Sequence, residues 1–313
     1  MRVSRNKNLF TYSKVLFGIS IALLIYGLIL DYTTDYGLID PVKDVDVIHS
    51  DSTNINISTS DKDDINSVQN NISDDTTVNN ISETDNNNLR SEIEKKYSIK
   101  VVYGDETEGY TVSGIGTKKM TDAVKINEQL NKLNNALSKY PRSLFREIKK
   151  GGIPLTIFLI NSYEEINITG ITDSNYNYAN ISIAAIHPFE ESFYHESYHY
   201  IERYLFKKGA SYNSWDSLNP SGFNWGTIDS KLSYNMTNID TAPFVNNYAQ
   251  SSAEEDRASI FEYMMSDVEA TCFRNRNNTI WLKANYMAMT MESTLDSISP
   301  NYVEHWEKWL KND

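Results

Sequence analysis

The chain has 313 residues, a single cysteine and a formal charge of −13 at pH 7. That length allows one large domain or two small ones, and a lone cysteine excludes an intrachain disulfide and any cysteine-rich metal site. No basic patch is present, so nucleic acid is not an expected partner.

The charge is unevenly spread: residues 1–30 carry +4, 31–92 carry −11 and 93–313 carry −6. Residues 15–30 (VLFGISIALLIYGLIL) hold no charge and would span about 24 Å as a helix, the short end for a membrane crossing. All four basic residues of the tail precede this run and acids follow it. The positive-inside rule then puts 1–14 in the cytoplasm and everything after 31 outside the cell. No small-x-small cleavage site and no lipobox cysteine follows Leu30, so a retained signal anchor is expected. Residues 31–92 are dominated by Asp, Asn, Ser and Thr and bury too little apolar area to offset the chain entropy of folding. An extended, disordered tether is expected there. The bias toward Asn, Ile, Lys and Tyr is that of a low-GC bacterial chain.

From 93 the pattern is that of a folded domain. Short strands are expected at 97–103 (YSIKVVY), 110–114 and 153–160 (IPLTIFLI), and a half-exposed strand at 180–186. The stripe Val124, Ile126, Leu130, Leu133, Leu137 predicts a helix over 120–140, ended by Pro141, with a shorter one over 143–150. Residues 211–239 lack periodicity and read as a long loop, a common site of function in compact domains. Helical periodicity returns at 253–267 and 279–298.

Residues 195–199 read His-Glu-Ser-Tyr-His. If 189–206 form a helix, His195 and His199 lie one turn apart on one face, where two imidazoles can converge on one ion. Glu196 sits beside that face, placed to take a proton from a water without ligating the metal. This H-E-x-x-H spacing supplies two zinc ligands and a general base within one turn; the bland alternative is a surface helix with two exposed histidines. A catalytic zinc needs a third protein ligand and one open position. No other histidine follows within a dozen residues, and His187 and His305 read more simply as structural or surface residues. A glutamate on a later helix is the other solution, and 252–265 (SAEEDRASIFEYMM) offers Glu254 and Glu255.

The stretch 244–264, FVNNYAQSSAEEDRASIFEYM, resembles the second motif of a bacterial group of gluzincin peptidases. The Pro-Pro endopeptidases and the catalytic domain of anthrax lethal factor look similar over the two motifs. The resemblance implies Glu255 as third zinc ligand and Tyr248, seven residues earlier, as an oxyanion-stabilising residue. Glu254 would take the ligand's place if the helix were turned by one position. Asp256 reads either as an acceptor for a ligand histidine or as an exposed acid of a helix N-terminus.

The expected architecture is α+β and zincin-like. It has a small mixed sheet with an edge strand at 180–185, an active-site helix and a helical C-terminal part, behind one transmembrane helix and a linker. The expected function is a membrane-anchored extracellular zinc metallopeptidase acting on a peptide or protein substrate, with one catalytic Zn²⁺. An inactive scaffolding domain of the same fold is the alternative, and a closed structural metal site ranks below both.

Overall fold

The computed structural model describes residues 81–313, apart from 187, 268–271, 274, 277, 300–301 and 312–313. The basic tail, the apolar run 15–30 and the acidic segment up to residue 80 lie outside the described residues, as does His187. Among the described residues no helix is long and apolar enough to cross a membrane.

The domain starts earlier than its composition implies. Residues expected to end the linker form the first helix, α1 (Glu83–Tyr97), begun by a reciprocal capping box between Ser82 and Asp85. Buried Asn86 donates to the Ala123 carbonyl at 2.9 Å and accepts from the Asn127 amide at 2.9 Å. These amides brace α1 against α2 (Ala123–Ser138), and Ile93 and Tyr97 enter the core. Asn86, expected within the solvated linker, is here packed and hydrogen-bonded through both polar atoms of its side chain. In α2 the buried stripe runs Ile126, Leu130, Leu133, Leu137, while Val124 is 57% exposed and falls outside it. A short helix, α3 (Leu144–Lys150), follows.

The main sheet has four strands in the order β1-β4-β7-β6. They are β1 (Lys100–Tyr103), β4 (Leu155–Ile160), β7 (Ala179–Ala184) and β6 (Gly170–Ser174). β4 pairs in parallel with both β1 and β7, and β6 runs antiparallel to β7. A small antiparallel sheet of β2 (Thr111–Val112), β3 (Ile115–Lys118) and β5 (Ser162–Tyr163) caps an apolar satellite around Val112, Ile160, Tyr163 and Ala184.

The strand expected at 180–186 therefore forms, but in the sheet interior rather than at its edge. Ser182, which alternation assigns to the solvent side, is buried and hydrogen-bonded to the Tyr163 hydroxyl at 2.8 Å. The free edge beside the long helix is β6, whose sequence GITDS is built largely from weak strand formers and gives little signal.

α4 (Phe189–Lys207) runs beneath this edge, with Glu190 and Glu191 in its first turn and Lys207 in its last, matching its dipole. It is buried on nearly every side, so its polar groups are bonded inside the protein. Ser197 Oγ meets the Tyr140 hydroxyl at 2.6 Å, the Tyr198 hydroxyl meets that of Tyr212 at 2.6 Å, and the Tyr200 hydroxyl donates to the Ile153 carbonyl at 2.9 Å.

The loop 208–247 carries two short 3-10 turns and an isolated bridge between Ser233 and Phe244, and Gln250 ties down its second half. Gln250 Oε1 accepts from the Asp229 amide at 2.8 Å, and its Nε2 donates to Ser233 Oγ at 2.9 Å. Three helices close the fold: α5 (Ala253–Met265), α6 (Thr279–Thr294) and α7 (Lys308–Lys311). His305 belongs to a 3-10 turn before α7 and its Nε2 donates to the Met265 carbonyl at 3.1 Å, a structural contact.

Candidate metal centre

α4 and α5 pack face to face, and their contact gathers three of the predicted residues. One ligand atom each from His195, His199 and Glu255 lies within 4.8 Å of the others. Glu255 Oε2 is 2.9 Å from His195 Nε2 and 3.5 Å from His199 Nε2. A tetrahedral zinc with bonds of about 2.0–2.2 Å spaces its donors by about 3.3–3.6 Å. Two imidazole nitrogens and a carboxylate oxygen at these separations therefore fit such an ion with small side-chain adjustments.

Glu255 reaches this point because Ser252 caps α5: its hydroxyl accepts from the Glu255 amide, so the glutamate leaves the first turn toward α4. Glu254, one position round the helix, is exposed to solvent. Asp256 is neither an acceptor for a ligand histidine nor an exposed acid. It is fully buried, 2.7 Å from Lys283 Nζ, and accepts from Trp215 Nε1 at 2.8 Å. A polar pair formed with a helix far along the chain leaves no mark in the local sequence.

The carboxylate facing the His195 ring is Glu262, two turns beyond Glu255 on the same face of α5. His195 Nδ1 donates to its Oε2 at 3.2 Å. Such a contact fixes the ring and leaves the other nitrogen free for an ion. The only sequence trace of this role is the seven-residue spacing of two glutamates.

The electrostatics follow from burial and these contacts. Burial opposes protonation of His195, but the Glu255 and Glu262 carboxylates outweigh it and hold its pKa well above the ordinary value. His199 is raised too, with burial again opposed by Glu255. Burial favours a neutral Glu255, yet His199 and His195 pull its pKa below the usual carboxylate range. The two imidazoles and the carboxylate thus favour each other's charged forms, and a cation bound there would compete with protons for the same nitrogens.

Glu196 is 9% exposed and lies close enough for its charge to act on both imidazoles and on Tyr248. The Tyr248 ring is 5.7 Å from that of His195, at the start of a 3-10 turn directly before α5. Burial, then the charges of Glu255 and Glu196, keep its pKa well above normal, so the phenol holds its proton. Above the helix lies the free edge of β6: Thr172 Oγ1 donates to the Glu196 carbonyl at 2.9 Å.

No family model and no curated protein matches this sequence. A solved structure does: a candidate zinc-binding metallo-peptidase from Bacteroides caccae ATCC 43185 is similar at 14% identity and a TM-score of 0.48. The similarity spans 73% of this chain and 92% of the other.

Proposed function

We propose that this chain is a zinc-dependent endopeptidase, with His195, His199 and Glu255 as metal ligands and Glu196 as general base. The observation that carries this reading is the convergence of those three donors beside a buried glutamate and beneath an open strand edge. Bound there, zinc would acidify a water and polarise the scissile carbonyl.

The protein's own groups supply the rest. Glu196 takes the proton of the attacking water and passes it to the leaving amine. Tyr248, held protonated, donates its O–H to the carbonyl oxygen as negative charge develops there. Glu262 keeps the His195 ring in one orientation through Nδ1. The unpaired edge of β6 offers main-chain groups to an extended substrate, replacing the interior strand 180–185 that the sequence suggests for this role. Burial of His195 and Glu196 limits competing water. An anchor at 15–30 and an extracellular orientation complete the proposal, on the strength of the charge step around that run.

The test is metal analysis of the full-length protein, with cleavage of a broad peptide library compared against Glu196→Ala. About one zinc per chain and turnover lost in the variant are expected. A wild type that binds zinc and is as inert as the variant would sink the peptidase reading and favour a scaffold.

A further inference from the structure

Gly170, the first residue of β6, is not required by backbone geometry. Its φ is not positive, and it pairs in register with Ile183 at an ordinary antiparallel position that any residue can adopt. Glycine weakens a strand, and where φ is ordinary its presence marks the close approach of another group. The approaching group is Glu196. A Cβ built at 170 would stand 2.7 Å from Glu196 Cγ, 3.1 Å from its Oε1 and 3.1 Å from Ile183 Cδ1.

Cγ is fixed by the first side-chain torsion, so relief of that contact requires the glutamate to leave its rotamer. Two residues on, and so on the same face of the strand, Thr172 holds the main-chain carbonyl of Glu196. The edge strand thus grips residue 196 twice, at the backbone through a hydroxyl and at the side chain through an absence.

Building on the peptidase reading, we propose that Gly170 and Thr172 are positioning residues for the general base. The vacant Cβ site at 170 is the slot in which the Glu196 arm lies, and Thr172 sets the point from which that arm leaves the helix. The strand that lines the substrate cleft therefore also aims the base.

The test is a stability and activity cycle in the full-length protein. Gly170→Ala should leave zinc content unchanged, lower kcat by about a hundredfold with little change in KM, and lower Tm by about 2–4 °C. In a Glu196→Ala background Cγ is gone, so the same substitution should raise Tm, as replacement of a strand glycine does where space permits. An equal fall of Tm in both backgrounds would assign the conflict to Ile183 and overturn the proposal. If Gly170→Ala alone does not fold, folding of the double variant supports the slot and its failure refutes it. Thr172→Val, which keeps the shape and removes the hydroxyl, should lower kcat at constant zinc content; unchanged kcat removes Thr172 from the account. If the wild type itself has no turnover, the peptidase reading fails, while the Tm cycle still decides the slot.

Discussion

Glu255 and Asp256 are consecutive residues in the first turn of one helix, yet they serve opposite ends. Glu255 faces two imidazoles across a partly open site, and its pKa is pulled down although burial favours the neutral form. Asp256 points into the core against Lys283, both fully buried, and there burial dominates: the aspartate is pushed up and the lysine pushed down. Lys283 also donates to the Pro243 carbonyl at 2.9 Å and lies 4.0 Å from the Phe244 ring centre. It thereby pins the segment leading to Tyr248. Alongside, Arg257 and Glu202 join α5 to α4 in a second buried pair. One cluster gathers donors able to hold a cation, and the other locks the helices that carry it. A rotation of one residue, about 100°, separates the two roles.

The largest expected effect attacks the lock. Lys283→Met strands the Asp256 carboxylate in the core and should cost about 3–5 kcal/mol in denaturant unfolding. Adding Asp256→Leu should recover most of that loss; a double variant as unstable as the single one would mean the pair is not the unit described.

Next comes the donor cluster. Glu255→Ala should weaken zinc binding by more than about a hundredfold, beyond the 10–100-fold typical of outer contacts. Glu254→Ala should leave it unchanged, and the reverse result in a chelator competition would move the ligand by one position. Glu262→Gln tests the support of His195 and should weaken zinc by about 10–100-fold with little change in fold stability.

The smallest effect is in pH. Raised folded pKa values at His195 and His199 contribute stability that is full below about 6.5 and lost as pH climbs through those values. The lowered value of Glu255 contributes stability present above about 4.5 and lost as pH falls. Metal-free protein should therefore melt highest between about pH 4.5 and 6.5. Zinc should stabilise it most on the alkaline side, where fewer protons compete. Melting of chelator-treated protein that improves steadily above pH 7 would contradict this.

What could be read in the sequence was what one helical turn encodes. Placing His195, Glu196 and His199 within one turn needs only the 3.6-residue period, and Glu255 as the candidate third donor comes from the motif resemblance over 244–264. Glu262 was hidden because its partner lies 67 residues away and no local pattern distinguishes it from a surface acid. β7 is interior because β4 and β6 pair on its two sides, and Ser182 is buried because Tyr163 meets it from another strand; alternation alone shows neither. β6 carries little sequence signal for the same reason that it can pack here: a glycine and small polar residues leave room for a glutamate and an open edge. At α1 the bulk composition concealed Ser82 and Asp85, whose reciprocal bonds begin the domain.

Two of the three residues between the histidines of His-Glu-Ser-Tyr-His are held by phenols, Ser197 by Tyr140 and Tyr198 by Tyr212. Sliding or turning α4 by one residue would strand these buried hydroxyls at about 1–3 kcal/mol each. The helix therefore has little rotational play, and the imidazoles converge because the fold sets their bearing. The entropy of assembling the site is spent when the chain folds. Metal capture should then resemble an ion entering a finished socket, with no gain of helix on binding.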